Sequence, residues 1–113
     1  MEEKAKFYCA LDYSMNLIGG KWKLLILHQL SGGTKRFSEL KRLLPGITPK
    51  MLTSQLRELE KNGIITRKIY PEVPPRVEYT MTRHGMEIIP VLSALCDWAR
   101  GVATEKGIQF SDE

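Results

Sequence analysis

Residues 48–62 carry hydrogen-bond donors opposite a row of leucines. At about 100° per residue, Leu52, Leu56 and Leu59 share one face of a predicted helix. The opposite face carries basic and hydroxyl groups, and its members are Lys50, Ser54, Arg57 and Lys61, with Thr53 beside them. Lysine and arginine can donate to guanine edges or neutralise phosphates, and hydroxyl groups can bond bases or backbone oxygens. The pattern therefore predicts a helix suited to the major groove of DNA.

A wider set of residues is expected to contact DNA around this helix. The free N–H groups at its start could bind a phosphate, and Lys68 or Arg76 could reach the minor groove or the backbone from the following ribbon. The candidate DNA-binding residues are Thr48, Lys50, Thr53, Ser54, Gln55, Arg57, Lys61, Lys68 and Arg76. For each single cation the alternative is a surface salt bridge, and Arg57 could pair with Glu58 or Glu60 on its own helix.

Charge is concentrated on the segment that contains this helix. The chain has a net charge of +4, but residues 21–76 hold twelve basic and four acidic residues, a local net charge of +8. The remaining flanks carry a net charge of −4. Because the basic excess coincides with the donor-bearing helix, an anionic partner such as double-stranded DNA is favoured over a merely solvated face.

Local signals delimit the elements of a helix-turn-helix and a wing. The recognition helix covers about residues 48–62, with Thr48 as N-cap, Pro49 at its first position, and Asn62-Gly63 as its stop. A shorter helix precedes it after an extended link at 35–37, with Ser38 as a candidate cap, and ends at Pro45-Gly46. Two β-rich runs, 64–70 and 76–81, flank the proline-rich tip PEVPP and form a wing over about 64–82.

Apolar helices flank this segment on both sides. Residues 21–30 are apolar nearly all round and predict a buried central helix. A short helix at about 8–18 and a long helix at about 83–104, capped by Thr82 and kinked at Pro90, carry more apolar surface than one small core needs. We therefore expect these two helices to form a homodimer, which would place two recognition helices on a palindrome. The alternative is that both ends simply cover the domain.

Length and composition indicate one globular domain over residues 1–113. The fold class is mainly α with a small β-hairpin wing (α+β), a winged helix-turn-helix in the order α, α, α, α, β, β, α. No apolar run reaches the roughly 20 residues of a membrane span, and the charged N-terminus does not resemble a signal peptide. We expect a cytoplasmic protein without membrane association.

Catalysis and metal binding are not favoured by the reactive residues. Cys9 and Cys96 lack metal-ligand spacing, so no metal or other cofactor is expected. His28 is interpreted as a core histidine and His84 as a solvated or capping residue. No acid pair or phosphate-binding loop accompanies them, so the chain is not expected to be an enzyme. A winged-helix module that binds protein instead of DNA is the main alternative, but such a module needs no basic face.

Four motifs resemble the HxlR-type transcriptional regulators, bacterial and archaeal winged-helix proteins related in architecture to the MarR group. The motifs are LIGGKWKLLIL (17–27), KRFSELKRLLPGI (35–47), KMLTSQLRELEKNGII (50–65) and YPEVPPRVEYTMTRHG (70–85). The resemblance covers about residues 9–98 and implies a homodimer that binds promoter DNA as repressor or activator.

The resemblance also implies a role for Cys9. In several family members a cysteine just before the IGGKW-like motif senses quinones, aldehydes or oxidants, so an electrophile or oxidant is a candidate effector. The family often has Cys-Pro there, whereas this chain has Cys9-Ala10. Lys4 and Lys6 lie close in sequence and would favour the reactive thiolate, but an ordinary half-buried cysteine is the alternative. Cys96 lies on an apolar stripe and is expected to be packing.

Overall fold

The computed structural model describes residues 6–111, which form six helices and three strands. The winged helix-turn-helix predicted from the sequence is confirmed. The elements are α1 (Ala10–Ile18), α2 (Lys21–Leu30), β1 (Lys35–Arg36), α3 (Phe37–Leu43), α4 (Pro49–Lys61), β2 (Ile65–Tyr70), β3 (Arg76–Met81), α5 (Arg83–Glu87) and α6 (Ile89–Lys106).

The core lies where α2, α3 and α4 meet. Leu52, Leu56 and Leu59 of α4 are buried as their spacing predicts, and they join Ile26 of α2 and Leu40 of α3 in one apolar cluster. Burial of these side chains is the main force that fixes the rotation of α4. The face opposite the leucines is thereby directed to solvent.

The start of α4 follows from its first residues. Thr48 is the N-cap, and its Oγ1 accepts a hydrogen bond from the Met51 N–H at 3.1 Å. Pro49 occupies the first turn, where no N–H is needed. After the helix, Gly63 has φ of 74°, a left-handed conformation that permits the sharp turn into β2. The predicted cap and stop are both confirmed.

The sheet has three strands, whereas the sequence predicted a two-stranded ribbon. The strand order is β1-β3-β2, and both pairings are antiparallel. Residues 35–36, expected as an extended link, pair through Lys35 with Tyr79 and through Arg36 with Glu78. A strand of two residues has no alternation to reveal it, so only its long-range pairing defines it. This pairing ties the wing to the start of α3.

The long helix predicted over about 83–104, with Thr82 as its cap, is divided in two rather than kinked. Thr82 caps the short α5, where its Oγ1 accepts from the Gly85 N–H at 3.3 Å. Pro90 lies in the first turn of α6 and has no N–H to donate to the preceding turn. The hydrogen bonding resumes with the Leu92 N–H donating to the Ile88 carbonyl at 2.9 Å.

Two further expectations are corrected. The central helix α2 is not buried all round, because Leu25 and His28 are exposed, so His28 is not a core histidine. Ser38 does not cap α3. Arg36 is the N-cap residue, and its N–H donates to Glu39 Oε1 at 3.0 Å.

Candidate nucleic-acid interface

The solvent side of α4 forms a shallow hollow of about 520 Å³. Its lining combines cations, hydroxyl groups and one carboxylate, and consists of Pro49, Lys50, Thr53, Ser54, Arg57 and Glu58. Four of the predicted contact residues are thus brought together on one surface. Long donors around a shallow depression are suited to base edges and phosphates, which lie within reach of a groove-bound helix.

The other predicted residues of α4 lie around this hollow. Lys61 is exposed one turn beyond Arg57, on the same side of the helix. Thr48 is exposed at the start of the helix, although its hydroxyl is engaged as the cap. Gln55 is half-buried, and its Nε2 donates to Met51 Sδ at 3.6 Å, away from the residues that line the hollow.

The wing holds Arg76 within a cluster of its own side chains. The Arg76 guanidinium lies 3.9 Å from the centre of the Tyr70 ring and pairs with Glu72 at 3.3 Å and Glu78 at 3.4 Å. These contacts join both strands and the tip of the wing. Lys68 also lies over the Tyr70 ring, with Nζ 4.8 Å from its centre, but remains exposed. The geometry gives Arg76 a structural part in the wing and leaves Lys68 as the more accessible cation.

Two ion pairs connect α4 to its neighbours, and neither was predicted from the sequence. Lys23 of α2, which is only 9% exposed, places Nζ 3.0 Å from Glu58 Oε2. Arg67 of β2 places Nε 3.7 Å from Glu60 Oε2. The signal in the sequence for the first pair was the position of Lys23 between Trp22 and the apolar run 24–27 of α2. Together the pairs tether the recognition helix to the core and to the wing.

Tyr79 lies on β3 near these charges. Burial raises the pKa of the Tyr79 hydroxyl above its usual value, and the positive charges of Arg67 and Arg57 act in the opposite direction. The folded state therefore favours the neutral phenol of Tyr79.

The flanking helices expose large apolar side chains. Tyr8 is 94% exposed and Leu11 is 69% exposed at the N-terminal end, while Val91 and Trp98 of α6 are also exposed. Within residues 6–111, no helix is long and apolar enough to cross a membrane. An exposed apolar surface of this kind commonly marks a contact surface.

The two cysteines differ in their surroundings. Cys9 precedes α1 as its N-cap residue and is exposed, whereas Cys96 of α6 is half-buried. Cys96 faces a cavity of about 320 Å³ between α2 and α6, whose wall includes Leu24, Leu92 and Phe110. Lys4, which was expected to influence Cys9, lies outside the described residues.

Residues 17–106 match the family of HxlR-like helix-turn-helix proteins. The chain belongs to this family. The resemblance seen in the four motifs is therefore confirmed, and the family match includes the recognition helix, the wing and all of α6.

Individual relatives agree with the family assignment. An HTH-type transcriptional regulator of Methanothermobacter thermautotrophicus is 53% identical over 95 residues, which cover 84% of this chain and 72% of the relative. The crystal structure of the HTH-type regulator YtcD has a TM-score of 0.80 at 47% identity and covers 85% of this chain and 98% of its own.

The redox regulator HypR in its oxidized form has a TM-score of 0.77 at 42% identity, with coverage of 82% and 96%. These relatives are regulators and not enzymes. This HxlR-like chain is accordingly a helix-turn-helix transcriptional regulator.

Proposed function

We propose that this HxlR-like protein acts as a homodimer that binds a palindromic promoter site with α4 in the major groove. The observation that carries the proposal is the face of α4, where Lys50, Ser54 and Arg57 surround one hollow opposite the buried leucines. The protein would act in the cytoplasm, where the chromosomal DNA of a prokaryote lies. Residues 1–113 would form one domain, with recognition helix 48–62 and wing 64–82.

The proposed contacts divide into base-reading and phosphate-binding groups. Arg57 and Lys50 have the reach to donate to guanine edges or to phosphates, and Thr53 and Ser54 can bond bases or backbone oxygens. The backbone N–H groups at the start of α4 and Lys61 near its end would bind phosphates on either side of the groove.

Lys68 on the wing would contact the adjacent DNA backbone. Thr48, Gln55 and Arg76 would contribute by holding the helix and wing in shape.

Dimerisation would be carried by helices 8–18 and 83–104. Tyr8, Leu11 and Trp98 present apolar surface to solvent in the single chain, and covering it removes that surface from water. A two-fold interface would use the same patch on both protomers. Two recognition helices would then face successive major grooves on one side of the duplex, about one helical turn apart.

Selection of bound fragments from genomic DNA tests the DNA-binding proposal. We expect a short palindrome, bound with an affinity that falls steeply as salt increases. Lys61→Ala should lower the magnitude of the salt slope by about one per protomer, because it removes a cation that neutralises a phosphate. Lys106→Ala, the same exchange at the end of α6, is the matched control and should leave the slope unchanged. Binding that shows neither sequence preference nor salt dependence would refute the proposal and favour a protein-interaction module.

Sedimentation analysis of Trp98→Glu tests the dimer. The buried carboxylate should dissociate the pair, because an unpaired charge in an apolar interface is costly. A parent protein that sediments as a monomer at micromolar concentration would contradict the proposed interface.

Cys9 is proposed as a thiol sensor of oxidants or electrophiles. Its exposure and its place at the start of a proposed dimerisation helix support this role, as does the likeness to the redox regulator HypR. Treatment with a thiol oxidant should release DNA from the parent and from Cys96→Ser, but not from Cys9→Ser. If Cys9→Ser releases DNA as readily as the parent, Cys9 is not the sensor.

A further inference from the structure

One carboxylate lies among the donors of the recognition face. Glu58 lines the hollow on α4 together with Lys50, Ser54 and Arg57, and its side chain is 53% exposed. At about 100° per residue, Glu58 lies at one flank of the exposed face and Thr53 at the other. A free acid at this position would repel the phosphates that the neighbouring cations attract.

Lys23 alters both the effective charge and the position of the Glu58 carboxylate. Its side chain is 11% exposed, and its Nζ lies 3.0 Å from Glu58 Oε2. The ammonium offsets the negative charge and, because it is anchored within α2, fixes the direction of the carboxylate. A carboxylate can accept about four hydrogen bonds through its two oxygens, so one salt bridge leaves accepting capacity on a side chain that lines the hollow.

We infer that Glu58 reads a base by accepting a hydrogen bond from the exocyclic amino group of cytosine. The inference rests on the proposed placement of α4 in the major groove. Cytosine N4 and adenine N6 are the amino donors on that edge, whereas guanine presents only acceptors there. Adenine N6 lies between two acceptors, its own N7 and thymine O4, which would both repel the carboxylate, whereas cytosine N4 has an acceptor, guanine O6, on one side only. Cytosine therefore suits Glu58 best, and Lys23 acts as its positioning residue.

Selection from a random duplex library with three proteins tests this reading. The parent should enrich cytosine at one position in each half-site. Glu58→Gln should lose that preference by about fivefold or more, because the amide also donates and tolerates other bases. Its amide oxygen can still accept from Lys23, so the contact between α2 and α4 is kept.

Glu60→Gln is the matched control. Glu60 lies on the same helix but pairs with Arg67 at 3.7 Å and does not line the hollow. It should retain the cytosine preference of the parent. An unchanged preference in Glu58→Gln, or a uniform gain in affinity for every duplex, would overturn the inference while leaving the proposed function intact. A parent that selects no sequence would overturn both.

Lys23→Met separates positioning from charge. The uncompensated carboxylate should lower the affinity for every duplex and weaken the cytosine preference. The double variant Lys23→Met/Glu58→Gln should regain affinity but not the preference. Circular dichroism confirms that each variant is folded before it is compared. Unchanged affinity and preference in folded Lys23→Met would show that Lys23 does not position Glu58.

Discussion

Exchange of Gly85 for alanine should destabilise the fold, although alanine is the better helix former. Gly85 is buried in α5, at the junction of the wing and the last helices. A Cβ there would lie 2.4 Å from the Ile64 carbonyl oxygen and 3.0 Å from Met81 Cβ. The first neighbour is backbone, so it cannot move aside by a simple side-chain rotation.

The loss of stability in Gly85→Ala would arise in part from the hydrogen bonds that the Ile64 carbonyl accepts. It accepts from the Thr82 N–H at 3.0 Å and from the Thr82 hydroxyl at 3.0 Å. Displacing it would weaken these bonds, each worth about 0.5–1.5 kcal/mol. Overpacking typically costs about 1–3 kcal/mol, against a helix-propensity gain of about 0.5–1 kcal/mol. We expect the free energy of unfolding of Gly85→Ala to fall by about 1–3 kcal/mol.

Gly101→Ala is a control that we expect to raise the free energy of unfolding, whereas Gly85→Ala should lower it. Gly101 is exposed in α6, and among residues 6–111, apart from its chain neighbours and the nearby backbone of its own helix, no atom lies within 4 Å of its would-be Cβ. At about 100° per residue it lies opposite Leu92, away from the buried side of the helix. Alanine there should raise the free energy of unfolding by about 0.5–1 kcal/mol.

Urea unfolding followed by far-ultraviolet circular dichroism measures both variants. All samples need the same protomer concentration, because dimerisation would make stability depend on concentration. If Gly85→Ala matches or exceeds the parent, the close approach to Ile64 does not constrain this position.

Two further predictions concern the recognition helix and the sheet. Thr48→Ala should lower the free energy of unfolding by about 1 kcal/mol, because the Met51 N–H loses the hydroxyl that accepts its hydrogen bond. Urea unfolding should show that Thr48→Ser, which keeps the hydroxyl, is close to the parent in stability. Equal destabilisation in both variants would contradict the capping role. Burial raises the pKa of Tyr79 in the folded state, so its contribution to stability is complete below the unfolded pKa of about 10 and is lost as pH rises through the folded pKa. Tyr79→Phe should therefore lose less stability than the parent between about pH 9 and pH 11, and parallel pH dependence in the two proteins would contradict this.

Features that depend on neighbours in the sequence were predicted correctly. The cap at Thr48, the leucine face of α4 and the stop at Gly63 all follow from short-range rules. The two long strands were placed within one residue because alternation and a proline-rich tip delimit them. The exposed basic face of α4 followed from the burial of its opposite side.

Features that depend on distant partners were not predictable. Residues 35–36 form a strand only because they pair with the edge of β3. His28 is exposed because one side of α2 is left uncovered, which a nearly all-apolar pattern does not reveal. The engagement of Arg76 and the burial of Lys23 likewise depend on carboxylates placed by the fold.

Acidic residues determine which cations of the basic segment remain available to an anionic partner. Residues 21–76 contain four acids, and each has a structural role: Glu39 caps α3, Glu58 holds Lys23, Glu60 pairs with Arg67, and Glu72 pairs with Arg76. Within the part of the chain that the structure describes, the cations of α4 have no such ion pair, and these are Lys50, Arg57 and Lys61. The carboxylates thus engage Lys23, Arg67 and Arg76 around α4, and the cations on its exposed face remain available to an anionic partner. The hollow on α4 is therefore surrounded by cations that can attract phosphate, and other cations of the segment, such as the exposed Lys68 on the wing, add to this attraction.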